Sequence, residues 1–376
     1  MNTAFGPWST LLALGVGFGL TVALLLAFTR CNRTANGLLA LLLLAFAMKL
    51  MPYALGFAGY YDAYPWLSFA PFELGLAIGP LLYLHVRRLT ADRLPRGWAW
   101  HLLPAALQFG YRAVVFVQPL TFKNAWNDRI HRDWIDPAET FLGLLSFAIY
   151  LWLALRAYRG YQRWLDAHLS NREEFRIVWV RNVLAAFAIA LPVWAVYEAL
   201  SYGIGFDYFQ RFPLYVCFTL LVFHLGLEGW RHAGTRYPLP APPETAPETM
   251  PARAEPAARD WAAQGRDWLA RTEAAGWWRD PDLSLERLAR HLGTNTAYLS
   301  RALNDGLGLS FNDAINRLRV DEVCRRLRSE DDGDLLQIAL EAGFSAKSSF
   351  NRWFKARTGT TPSRYRAAAA GARAKA

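Results

Sequence analysis

The chain has 376 residues, a formal net charge of +10 and 53% hydrophobic residues, 16 of them Trp. This length allows two or three domains. Three widely separated cysteines, Cys31, Cys217 and Cys324, exclude a disulfide framework, and the scattered His85, His101 and His224 lack metal-ligand spacing. No Ser-His-Asp, paired-acid or phosphate-loop pattern is present, so no enzyme activity, cofactor or metal is expected.

Hydrophobicity and positive charge occupy different parts of the chain. Residues 1–232 carry long apolar runs, whereas residues 261–376 hold 19 Lys and Arg against 14 Asp and Glu. Seven segments are long and apolar enough to span a bilayer, near 8–29, 36–59, 66–86, 98–118, 139–157, 178–202 and 208–230. The first suits a membrane span better than a cleaved signal peptide, whose apolar core is shorter and preceded by basic residues. Aromatics such as Trp8, Tyr60, Trp66, Trp98 and Trp134 flank many of the ends, as expected at a membrane interface.

Loop charge sets the orientation. With the N-terminus outside, the inner loops carry 14 arginines, from Arg30 and Arg33 to Arg231 and Arg236. The outer loops carry only Lys123, Arg129, Arg132 and Arg211, mixed with acids. The positive-inside rule therefore puts the N-terminus outside and the C-terminus in the cytosol.

Residues 233–260 contain seven prolines and almost no large apolar residues, which reads as a semi-extended linker. From Trp261 the pattern is that of a soluble helical domain. A helix is expected over 261–275, and a second capped by Ser284 and running to His291. A third follows from Asn295 to Asn304. A longer helix over 310–329 has Phe311, Ile315, Leu318, Val323 and Leu327 as its inner face, and another covers Leu335 to Ala342. Gly343 then makes a sharp turn into a short helix that ends at Gly359. In that short helix Phe350 and Phe354 fall on one face, and Lys347, Ser348, Asn351, Arg352 and Lys355 largely on the other. An apolar back and a basic front behind a tight turn is what a helix-turn-helix needs to enter a major groove. LERLARHLGTNTAYLSRAL repeats the layout of LLQIALEAGFSAKSSFNRWF, with Thr296 and Lys347 in equivalent places. Residues 367–376 are expected to be a disordered tail.

Residues 261–366 resemble an AraC/XylS-type DNA-binding domain. The resemblance rests on Ile338, Ala339, Gly343, Phe344, Ser348, Phe350, Arg352, Phe354, Lys355, Gly359, Thr361, Pro362, Tyr365 and Arg366 at fixed spacing. The run LSLERLA…YLSRALN…FNDAINRLRV is similar to the version in membrane-embedded members of that family. The resemblance implies two helix-turn-helix units and double-stranded DNA as a partner. It places the DNA-contacting side chains of the first unit at Thr296, Ala297, Ser300 and Arg301, and those of the second at Lys347, Ser348, Asn351, Arg352 and Lys355. Lys355, Arg357 and Arg364 suit phosphate contacts. Ala297 departs from the larger side chain often found there, so the first helix is expected to read fewer bases.

Four ionisable residues lie deep in expected spans: Lys49, Glu73, Arg112 and Glu198. Such residues are costly in a bilayer and point to function. All fall in the outer part of their spans, near Tyr53, Tyr111 and Tyr197, and they form either a polar pocket for an unknown small-molecule or envelope signal or a structural ion-pair network. The fold class is thus all-α: a seven-helix transmembrane domain over 1–232, then the linker, then a tandem helix-turn-helix domain. The expected function is a membrane-bound one-component transcriptional regulator, with the lipid bilayer and DNA as partners and RNA polymerase as a further one for an activator. A homodimer is compatible, because two tethered domains raise the effective concentration on a repeated operator. The alternatives are a transporter or membrane enzyme with a regulatory tail, or a membrane part that only anchors.

Overall fold

Long stretches rich in Leu and Ala with few turn residues favour helix, because these side chains lose little freedom in a helix. The computed structural model describes residues 3–170, 177–207, 209–240, 260–329 and 333–373. Among them every regular element is helical, apart from a single antiparallel bridge between Leu169 and Ser284. The chain divides into two compact units, Met1–Arg159 with Ile177–Pro242, and Gly160–Arg176 with Pro243–Ala376. Most of the expected linker, 241–259, lies outside the described residues.

The main helices of the first unit are α1 (Pro7–Ala27), α2 (Arg33–Phe57), α3 (Gly75–Thr90), α4 (Leu103–Phe116), α5 (Asp136–His168), α6 (Val178–Leu200) and α7 (Phe212–Arg231). The last part of α5, from Gly160, belongs to the second unit. Among the described residues, five helical stretches are long and apolar enough to cross a membrane: Pro7–Ala27, Arg33–Phe57, Leu120–His168, Val178–Gly205 and Phe212–Arg231. The other two expected spans hold shorter helices. The segment expected at 66–86 begins as a 3-10 turn, Pro65–Leu67, and becomes α-helical only at Gly75. The segment expected at 98–118 opens as a 3-10 turn, Trp98–Leu102, before α4. Pro71 and Pro104 fit the shortening, since proline disrupts a helix interior but is favoured at its start: Pro71 lies in the non-helical stretch before Gly75 and Pro104 in the first turn of α4.

Helix α2 packs against α1, α3 and α7. Close approach depends on small residues: a Cβ on Gly15 would lie 2.6 Å from Thr219, and one on Gly226 would lie 2.6 Å from Phe18. A side chain at either glycine would push the two helices apart, so the small residues set their spacing.

In the second unit, α8 (Trp261–Ala274) is followed by α9 (Leu285–Leu292), α10 (Thr296–Arg301), α11 (Phe311–Arg328), α12 (Leu335–Glu341), α13 (Lys347–Thr358) and α14 (Pro362–Arg373). Side-chain caps define several of the starts. Ser284 accepts from the Arg287 N–H, Asn295 from Tyr298, and Asp334 from Leu336 and Gln337. Ser310 and Asp313 form a capping box at α11. One core runs through the whole unit and includes Trp268, Leu288, Leu299, Ile315, Val323, Ile338, Phe344, Phe350 and Phe354.

Two expectations compare differently with the structure. Of the Ala-rich stretch expected as a disordered tail, residues through Arg373 lie in helix α14, in keeping with alanine's helix propensity, and residues 374–376 lie outside the described residues. The inner face of α11 is also wider than its apolar stripe. Leu318 is only half-buried, while Asn312, Asn316 and Arg319 are each 1% exposed.

Candidate functional site

The second unit contains two helix-turn-helix pairs, α9 with α10 and α12 with α13, joined by α11. With 18 residues, α11 is about 27 Å long, a length suited to placing two recognition helices in successive major grooves. Each turn carries a glycine in the left-handed region, Gly293 at φ +68° and Gly343 at φ +86°. Gly343 has a second reason to be glycine: a Cβ there would meet the Arg279 carbonyl oxygen at 2.7 Å.

On α13, Phe350 and Phe354 are buried and stacked edge-on at 5.5 Å. Their burial turns Lys347, Ser348, Asn351 and Lys355 outward, where all four are exposed. Arg352 is partly buried, its guanidinium 5.7 Å from the Trp353 ring centre. The corresponding face of α10 is less free. Ala297 is exposed and Thr296 half-buried, while Ser300 accepts a hydrogen bond from Asn304 at 3.0 Å. Arg301 pairs with Asp305 at 3.5 Å and lies 5.1 Å from the Trp261 ring centre. Arg357, read from sequence as a phosphate contact, donates to both carboxylate oxygens of Asp321 at 3.2 and 3.1 Å and so ties α13 to α11. Arg364 is exposed.

Residues 288–368 match the family model described as a helix-turn-helix domain. Over 88 residues the chain is 31% identical to the probable transcription factor PqrA of Proteus vulgaris, covering 23% of this chain and 71% of that protein. This chain belongs to the AraC-type helix-turn-helix family. Relatives in Staphylococcus aureus, such as an uncharacterized HTH-type transcriptional regulator of strain COL, are 36% identical over 85 residues. That match covers 23% of this chain and only 11% of the relative. A solved structure of a Listeria innocua protein of unknown function is 31% identical, covers 27% of this chain and 92% of that one, and has a TM-score of 0.24.

Earlier in the sequence of this AraC-type chain, the first unit encloses a polar cavity of about 60 Å3, room for a few waters or a small polar group. All four ionisable residues singled out in the sequence line it, with Tyr53, Gln108, Trp194 and Tyr215. Lys49 pairs with Glu73 at 3.0 Å and sits 5.2 Å from the Trp194 ring centre. The expected pairing stops there, because two further residues complete the set. Arg112 donates to Glu139, which also accepts from Tyr111 and Gln108. Glu198 accepts from the Trp194 indole at 3.0 Å and faces Arg211 at 3.9 Å. The Arg112 Nε has no hydrogen-bond partner among the described residues. Tyr197, expected near this depth, packs instead on Phe206 at 6.0 Å.

Arg211 is read in the sequence as an outer-loop charge, and Glu139 opens the span expected at 139–157. Their positions were nonetheless a signal: each stands at the outer start of an expected span, within reach of the depth inferred for the other four. The loop that delivers Glu73 is held by buried Lys123, which donates to the Trp66 and Ser68 carbonyls at 3.0 and 3.4 Å. Phe69 in that loop has φ +65° and is packed edge-on against Trp126 and His131, which holds a backbone conformation unfavourable for a bulky residue.

Proposed function

We propose that this chain is a membrane-bound one-component transcriptional regulator. Its first 232 residues form a seven-span domain with the N-terminus outside, residues 233–260 are a linker, and residues 261–366 bind promoter DNA sequence-specifically. The observation that carries this reading is the outward face of α13. Lys347, Ser348, Asn351 and Lys355 are exposed together on a helix whose back is sealed by Phe350 and Phe354. Lys347 and Asn351 suit base edges, and Lys355 suits phosphate. The engagement of Arg301 by Asp305 and Trp261, with Ala297 beside it, supports a first unit that reads fewer bases than the second.

The charged cavity supports a sensing role for the membrane domain. A small polar signal reaching it could replace one of the ion pairs or satisfy the Arg112 Nε. Its buried charges are costly in a bilayer, which favours a functional over a purely structural origin. The AraC-type domain and the absence of an internal repeat between span groups in the sequence both weigh against transport.

Chromatin captured on the tagged full chain is the direct test. It should yield a shared DNA motif. Asn351→Ala should relax one base position by about 1–3 kcal/mol, and Lys355→Ala should weaken binding evenly and lower the salt slope by about 1. Recovery of the same fragments by a chain carrying both substitutions would remove α13 as the reading helix.

A further inference from the structure

The second unit includes a short piece of chain far from its other residues in sequence. Residues 160–170 belong to it, and Leu169 and Ser170 are fixed by a cluster of buried polar side chains. The Ser170 hydroxyl donates to the Leu283 carbonyl at 2.9 Å. Asn312 Nδ2 donates to the Leu169 and Ser170 carbonyls at 2.6 and 3.0 Å, and Asn316 Nδ2 donates to the Ser170 carbonyl at 2.9 Å. Arg319 Nη2 donates to the Ser170 hydroxyl at 3.2 Å. Ser170 is only 3% exposed.

Asn312, Asn316 and Arg319 stand at i, i+4 and i+7 and so form one stripe along the first half of α11. An apolar stripe there would be left facing water whenever the segment departs, at a cost proportional to its area. A polar one can exchange each hydrogen bond for water when the segment leaves, so the contact is reversible by its chemistry. Arg319 also holds the Trp278 and Asp280 carbonyls at 2.8 and 2.7 Å, so part of the stripe belongs to the domain in either state. Leu283 and Ser284, at the other side of the segment, lead into α9. The segment therefore grips the first helix-turn-helix where its supporting helix begins and where the connecting helix leaves it.

The chain on the near side of Ser170 is α5. Its first residues, Asp136, Glu139, Thr140 and Gly143, line the polar cavity, and its last, His168, directly precedes the gripped segment. In sequence, the helix whose first residues line the cavity therefore runs without a break into the gripped segment. We propose that Leu169–Ser170 is a releasable latch through which α5, rather than the linker after residue 232, controls the DNA-binding unit. Latched, the unit has lost the orientational freedom that two recognition helices need to dock on DNA, and release raises operator affinity. This inference rests on the regulator reading above.

The antiparallel pairing of Leu169 with Ser284 permits a reversible lock, since such pairs bring Cα atoms within disulfide range. The full chain carrying Leu169→Cys and Ser284→Cys, with Cys31, Cys217 and Cys324 changed to Ala, would be placed in lipid nanodiscs. Its affinity for a duplex selected from a random-sequence pool on the full chain is then measured oxidised and again after reduction. The same protein serves as its own folding control. The expected result is that the oxidised form binds about tenfold more weakly than the reduced form, and that Asn312→Ala with Asn316→Ala in the otherwise unaltered chain binds more tightly than that chain. Equal affinities, or tighter binding when locked, would overturn the latch while leaving the regulator reading intact. No sequence-selective binding in either state would overturn the regulator reading and the latch with it.

Discussion

The two turn glycines show how a single position divides into separable costs. Gly293 and Gly343 share a left-handed backbone, but only Gly343 also presses on a backbone carbonyl, whereas a Cβ at Gly293 would meet nothing within 4 Å. Gly293→Ala should therefore cost about 1–2 kcal/mol, the left-handed penalty alone. Gly343→Ala should add about 1–3 kcal/mol of overpacking to it. Hydrogen exchange of α11 in the full chain would read both, and equal losses would show that the contact at Arg279 yields freely. Arg319 belongs to the same scale. Burial pushes its guanidinium down to about 10, still far above neutral pH, so it keeps its charge and remains a donor to Trp278, Asp280 and Ser170 under physiological conditions. In the first unit, Glu73→Gln leaves Lys49 buried without its anionic partner and should cost about 3–5 kcal/mol. A lowered thermal midpoint of the detergent-solubilised chain is the expected outcome, and an unchanged one would show that Lys49 finds another partner.

At the scale of the elements, local chemistry predicts more than long-range chemistry does. Ser284 was legible as a cap because its partner, the Arg287 N–H, lies three residues away. Gly343 and Gly359 were legible as turn residues for the same reason. The breaks at Pro65–Leu67 and Trp98–Leu102 were missed because apolar composition outweighs a single proline when spans are sought by length. The polar stripe of α11 was missed for a different reason. Asn312 and Asn316 look like solvent-facing residues until the carbonyls of Leu169 and Ser170, more than 140 positions away, are brought onto them. Glu139 and Arg211 likewise gain their meaning only from Arg112 and Glu198. The capping box at α11 offers a test at this scale. Ser310→Ala should cost about 1 kcal/mol, visible as faster hydrogen exchange in the first turn of that helix. No change would mean that core packing of Phe311 and Ile315 alone sets the start.

For the molecule as a whole, the account joins a charged cavity in an apolar bundle to an AraC-type domain. Replacing both Lys49 and Glu73 by Met separates sensing from scaffolding, because a buried ion pair exchanged for apolar residues is often neutral or stabilising. The doubly substituted chain should insert and remain folded, yet drive a promoter reporter at a fixed level across growth conditions that modulate the unaltered chain. A reporter that still responds would make the pair a packing device. The most direct test of the central claim is selection of DNA from a random-sequence pool by the full chain in nanodiscs, repeated at several stated salt concentrations. The account predicts one enriched motif with two half-elements about one helical turn apart, the element read by α13 the more strongly defined. Enrichment of no sequence at any salt concentration would contradict it.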